Sequence, residues 1–200
     1  MKVRIYVEGG GRGKLKSDCR EGFQIFFEKA GLARHMPSVV ACGSRNDTLK
    51  RFRTAVSSVR PEELPLLLVD SEAPVSSNGK PWDHLLSRDY WQRPEGAEDK
   101  QTHLMVQCME SWFLADIQAL RRFFGGRFKA PTEQANIEKI PKQDVLKRLK
   151  NASRNSQKGE YHKGRHSFAI LKQIDPGKVT ASSQYANRLV ETLRKHLIPT

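Results

Sequence analysis

The sequence predicts an α/β protein: a mostly parallel β-sheet flanked by helices, followed by a basic helical C-terminal extension. Three observations lead there. Over the first hundred residues short β-rich runs alternate with helical patterns, as in successive βαβ units. One run, Leu66-Leu67-Leu68-Val69, is continuously apolar, as expected of a strand covered on both faces. Charge is also segregated: residues 1–120 carry 17 Lys+Arg against 16 Asp+Glu, whereas residues 121–200 carry 18 against 6, so +12 of the net +13 lies in the rear of the chain.

The elements follow in order. Val3-Arg4-Ile5-Tyr6-Val7 alternates with period two and ends in Glu8-Gly9-Gly10-Gly11, a strand and its loop. Asp18 with Glu21 resembles a capping box, and Phe23, Phe26, Phe27 and Ala30 repeat at helical spacing, predicting a first helix over 18–30. Ser38–Cys42 reads as a second strand. Asp47-Thr48-Leu49 opens a helix that turns Leu49, Phe52, Val56 and Val59 towards the sheet. Leu66–Val69 is the central strand, delivering Asp70-Ser71-Glu72 at its carboxyl end. Residues 73–100 read as a long loop with a short helix near Trp82–Arg88. His103–Gln107 is a fourth strand, and Glu110–Leu120 a following helix. From 127 the chain changes character, with a short helix around Val145 and Leu149, a polar loop over Asn151–Gly159, and helices near 164–174 and 182–197. The expected organisation is a 1–126 α/β catalytic core with a 127–200 basic, mainly helical extension packed on it.

Two hundred residues with 38% hydrophobic and 28% charged content suit one well-packed domain and argue against wholesale disorder. No apolar stretch approaches the roughly 18–20 residues of a membrane span, and the N-terminus runs into charge without a secretory core. The expectation is a cytoplasmic protein with no membrane partner. Cys19, Cys42 and Cys108 are odd in number and far apart, fitting neither a disulfide framework nor a zinc site, and read as buried thiols. The basic rear predicts a polyanion, nucleic acid, as partner.

In open α/β sheets ligands bind outside the carboxyl ends of the strands. Glu8 ends strand one, and Asp70 and Glu72 end strand three at i, i+2. Three carboxylates on neighbouring strand ends form a hard-oxygen site for Mg2+ or Mn2+, suited to phosphodiester chemistry. Each alone has a plainer reading, as a loop residue or a helix cap. Glu110, just beyond strand four, either completes the metal site or caps its helix. Asp116 lies about 240° around an ideal helix from Glu110 and ranks below it.

The segment Glu8–Ser17 is glycine-rich but is neither a P-loop nor a dinucleotide fingerprint, because Glu8 and Leu15, then Lys14 or Lys16, occupy the defining positions. What remains is a loop with Arg12, Lys14 and Lys16 available to phosphate, or a solvated turn. In the rear, Arg154, Lys158, Lys163 and Arg165 form a candidate backbone-gripping set. Lys163 is a candidate for neutralising developing phosphate charge, and His166 for orienting or protonating a leaving group; surface and capping roles are the alternatives. No spacing supports zinc or a serine or cysteine nucleophile.

Glu8-Gly9 followed by Asp70-Ser71-Glu72 resembles the Toprim catalytic pattern of topoisomerases, primases and overcoming-lysogenization-defect nucleases. More closely, Val7–Gly11, Leu68–Asp70, Val106–Asp116 and Tyr161–His166 are similar to a bacterial domain-of-unknown-function family, number 4276, regarded as Toprim-like. That similarity covers nearly the whole chain. It implies a Toprim-like sheet and a magnesium-dependent nuclease-type site, with Glu8 as general base or metal ligand and Asp70 and Glu72 as metal ligands. It also implies a setting in phage or mobile-element defence, with a partner ATPase. Glu72 stands where many Toprim domains carry Asp, and the Gly-Arg-Lys loop intervenes before the first helix. The resulting expectation is a metal-dependent nuclease; the competing one is a non-catalytic nucleic-acid-binding or ATPase-docking subunit. A phosphatase of small phosphates would share the acids but make little use of the +12 rear half.

Overall fold

The computed structural model describes residues 1–76 and 79–198. Ser77 and Asn78 of the expected long loop lie outside the described residues. Four strands, β1 (Lys2–Val7), β2 (Ser38–Ala41), β3 (Glu63–Asp70) and β4 (Thr102–Met105), form one sheet in the order β2-β1-β3-β4. Every pairing is parallel, with Ile5 opposite both Val39 and Leu66, and Val69 opposite Leu104. The α/β expectation is met, and β1 and β3, which carry the candidate acids, are neighbours in the middle of the sheet.

The period-two alternation of the strands divides the core into two layers. Val3, Ile5, Val7, Leu66 and Leu68 face α1 (Lys14–Phe27) and the C-terminal helices, where Phe26 stacks on Trp112 at 5.0 Å between ring centroids. Tyr6, Leu67, Val69 and Leu104 face α2 (Arg45–Ser57) and α3 (Pro81–Asp89), packing on Phe52, Trp82 and Leu85. The remaining helices are α4 (Met109–Phe113), α5 (Ile117–Phe124), α6 (Lys142–Ser153), α7 (Lys163–Leu171), α8 (Pro176–Ser182) and α9 (Gln184–Leu197). Composition changes near residue 126, but packing does not: Val145, Leu149, Ile170, Leu171 and Leu189 share the cluster that holds β1 and α1.

Several local expectations are corrected. Helix α1 begins at Lys14, not at residue 18, because Gly13, with φ 58°, turns the chain straight into the helix; Asp18 falls inside it and there is no capping box. The helix expected over 110–120 is two helices, α4 and α5, because Asp116 accepts the Ala119 N–H (3.2 Å) and starts the second. Val59 lies beyond the end of α2 and is exposed rather than turned to the sheet. Helix α8, short and headed by Asp175-Pro176, had no apolar period to announce it. Among the described residues no helix is long and apolar enough to cross a membrane.

Candidate functional site

The sheet register brings the acids together. The Glu8 N–H donates to the Leu68 carbonyl (3.0 Å), extending the β1–β3 ladder by one residue. Asp70 is the last residue of β3, and its own N–H donates to Glu8 Oε2 (3.3 Å). Two residues on, Glu72 adopts left-handed φ 64°, a conformation that costs a non-glycine residue about 1–2 kcal/mol. Its N–H is held by the Gln107 carbonyl (2.8 Å). Glu72 thus reaches the site through a turn rather than through strand alternation. Glu8, Asp70 and Glu72 each present an oxygen, all within 4.8 Å of one another, a group that can hold a metal ion.

Asp70 is the electrostatic centre of the group. Its Oδ1 accepts the Met109 N–H at the head of α4 (2.8 Å), and it is almost fully buried. Burial first, then the charges of Glu8 and Glu110, push its carboxyl up to about 8, against the pull of Lys163 and Lys142. All-oxygen donors crowded to this degree match a hard divalent cation, whose charge would let the carboxylates ionise together. The same burial, reinforced by Asp70 and Glu110, pushes the Cys108 thiol up to about 12, so a nucleophilic thiolate is not available there.

A ring of cations and one acid orients the triad. Arg45 Nη1 donates to Glu8 Oε2 (3.1 Å) and to the Asp70 carbonyl (2.5 Å), its Nη2 donates to Asp89 Oδ2 (2.6 Å), and its guanidinium lies 4.7 Å from the Trp91 ring centroid. Asp89 also pairs with Arg88, which lies 3.7 Å from Glu72. One carboxylate therefore ties together the guanidinium beside Glu8 and the guanidinium beside Glu72. Lys142 is hydrogen-bonded to Glu72 and lies 3.9 Å from Asp70.

The other candidates separate into distinct environments. Lys163 joins the site, 3.9 Å from Asp70 and 3.5 Å from Glu110. Burial works against its charge, but Glu110 and Asp70 outweigh it and hold its pKa above the ordinary lysine value. Glu110 is fully buried behind the triad, where Oε1 accepts the Tyr161 hydroxyl (3.0 Å). His166 is not brought to the acids: its ring packs edge-on against Phe123 and Phe124, with centroids 5.6 Å away, and Nδ1 accepts the His162 N–H (3.2 Å). Burial first, then Arg165, lowers its pKa. Arg12, Lys14 and Arg165 are exposed, and Lys16 is half-buried. Arg154 pairs with Glu160 (3.6 Å) at the surface, and Lys158 lies over Phe123 (5.0 Å). Asp116 is structural, holding Lys178 (2.8 Å) and the Asp175 N–H (3.1 Å).

Sequence reasoning missed Arg45, Arg88, Asp89, Lys142 and Tyr161. Arg45 had a usable signal, since it lies just past β2 at the same sheet edge as the acids. The others arrive from α3, α6 and the loop before α7, which no sequence spacing relates to the acids. Beside the triad a cavity of about 270 Å3 opens between the glycine loop and α7, with Glu8, Asp70, Lys163 and Phe168 among its walls.

No curated protein and no solved structure matches the chain. The model of a domain of unknown function, DUF4276, matches residues 7–194, from the end of β1 through most of α9. That span includes every acid and cation of the site just described, and the chain belongs to the DUF4276 family.

Proposed function

We propose that the protein hydrolyses phosphodiester bonds of nucleic acid with Mg2+ or Mn2+, using a Toprim-like site. The observation that carries this reading is the convergence of Glu8, Asp70 and Glu72 at the ends of two adjacent parallel strands, with the Lys163 ammonium on the same cavity. The three carboxylates would hold the cation, which when bound would polarise the phosphodiester and favour attack by water.

The chain's own groups fit the remaining tasks. Glu8 Oε2 is taken by Arg45 and the Asp70 N–H, so Oε1, which has no hydrogen-bond partner among the described residues, is the atom by which Glu8 would act, either as a ligand of the cation or as general base towards the attacking water. Lys163, anchored by Glu110 behind it, is placed to meet a non-bridging phosphate oxygen as negative charge grows there. His166 is turned into its aromatic wall, so the departing oxygen takes its proton from solvent. The +12 charge of residues 121–200 favours a polyanion over a small phosphate.

A second reading, nucleic-acid binding without turnover, has one observation in its favour: Lys142 already answers Glu72 and approaches Asp70. The deciding experiment incubates the protein with single-stranded DNA, duplex DNA and structured RNA in Mg2+, Mn2+ or EDTA, beside Glu8→Gln and Asp70→Asn. Cleavage that requires metal and drops at least 100-fold in both folded variants is expected. Cleavage that survives EDTA or either substitution overturns the reading, and metal-dependent binding without cleavage favours the second.

A further inference from the structure

We propose that the cavity beside the triad is a single-nucleotide pocket, so that the site takes nucleic acid with an unstacked nucleotide, a single strand or a frayed end, rather than an intact duplex. This deepens the nuclease reading and rests on it for the orientation of the phosphate.

Size and lining carry the argument. At about 270 Å3 the cavity is near the small end of ligand pockets, with room for one nucleoside unit but not for paired strands. One set of its walls is charged, Glu8, Asp70 and Lys163; another is apolar, Leu15, Met109 and Phe168. A nucleotide has the same division between phosphate and base. A surface that grips only the backbone of a duplex would have no use for the apolar wall, whereas an extruded base is held by such walls. Asp70 Oδ2 lies 3.9 Å from both the Lys142 and the Lys163 ammonium groups, so cationic groups stand beside the acids for a phosphate to meet.

Helix capping converges on the same cavity. Among the described residues, seven of the nine α-helices have an N-terminal N–H taken by a side-chain oxygen, including Asp99 on α3, Asp70 on α4 and Gln107 on α6. The exceptions are α1 and α7. Their first turns supply Leu15, Lys163 and Gly164 to the cavity wall, leaving backbone donors there for a phosphate oxygen. Gly164 adds a further sign. It lies in α7 without positive φ, and a Cβ there would meet nothing closer than His162 at 3.6 Å, so neither backbone nor packing requires glycine. Glycine is a poorer helix former than alanine. What its bare Cα does provide is close approach to the backbone at the cavity lip.

The test measures equilibrium binding in Ca2+ of AMP, dAMP, inorganic phosphate, a single-stranded oligonucleotide and a blunt duplex to wild type, Gly164→Ala, Gly164→Leu and Phe168→Ala. Mn2+ affinity and melting temperature are followed in each variant, and cleavage rates are measured in Mn2+. The expected result is mononucleotide and single-strand binding at least tenfold tighter than duplex or phosphate, with a similar loss in Gly164→Leu while Mn2+ affinity and melting temperature hold. Equal binding of single strand and duplex, competition by phosphate as strong as by AMP, or no effect of Gly164→Leu overturns the pocket. The two readings fail separately: mononucleotide binding without cleavage of any substrate removes the hydrolase and keeps the pocket, whereas metal-dependent cleavage of duplex as fast as single strand does the reverse.

Discussion

Replacing Asp70 with Asn removes the charge at the centre of the triad while keeping an Oδ1 acceptor for the Met109 N–H. In the folded chain this carboxyl is pushed from its ordinary 3.8 up to about 8. An acid whose folded-state pKa is raised binds a proton on folding, so the destabilisation from Asp70 is absent below about pH 4. Stability then falls as pH rises towards about 8, where the loss levels off. About 3 pH units separate the ordinary value from pH 7, and each is worth about 1.4 kcal/mol, so the site costs the metal-free chain on the order of 4 kcal/mol at pH 7. For a domain of this size that corresponds to roughly 10 °C in melting temperature. Thermal melts from pH 4 to pH 9 in EDTA read it directly: Asp70→Asn should melt about 10 °C above wild type at pH 7, with the gap closing towards pH 4. Mn2+ should then raise the wild-type midpoint and leave the variant unmoved. A gap that is absent, or that widens as pH falls, would refute the account of Asp70 as a buried acid awaiting a cation.

Two further outcomes test the surroundings of the triad. Asp89→Asn frees both Arg45 and Arg88 from their shared carboxylate and should weaken Mn2+ binding by about 10–100-fold in calorimetric titration; unchanged affinity would mean that the two guanidinium groups do not orient Glu8 and Glu72. His166→Gln disturbs an aromatic wall and should cost about 1–3 kcal/mol in denaturant unfolding while leaving the pH profile of cleavage unshifted, and a lost limb of that profile would return His166 to the chemistry.

How much was legible depended on the range over which each feature is decided. The strands and the acids at their ends could be read because alternation, a continuous apolar run and strand-end position are local signals with a general consequence in parallel sheets. The start of α1 was misplaced because Asp18 and Glu21 imitate a capping box, while the turn that actually begins the helix is built by glycines. Gly10 shows why: at φ 85° its Cβ would lie 3.0 Å from that of Cys19 and 3.1 Å from that of Ala41. His166 was misplaced for a different reason: at i, i+3 from Lys163 it starts from a neighbouring position on α7, and only the packing of α5 against that helix takes its ring away from the acids. Lys163 heads the helix beside the acids, whereas His166 is buried against α5.

By itself, then, the sequence determined the α/β class, the strands that run through the sheet, the segregation of positive charge into the rear half, and Glu8, Asp70 and Glu72 as the residues delivered to one sheet edge. Those properties follow from short-range periodicity and composition, which survive without knowledge of packing. Only the tertiary structure decided that Glu72 joins through a left-handed turn, that Asp89 links the guanidinium groups beside two of the three acids, and that the first turns of α1 and α7, neither capped by a side chain, border one cavity. These depend on segments up to about 150 residues apart packing against the same sheet end, and on the dry surroundings that packing creates. Burial there turns an ordinary carboxyl such as Asp70 into one that is strained without a cation.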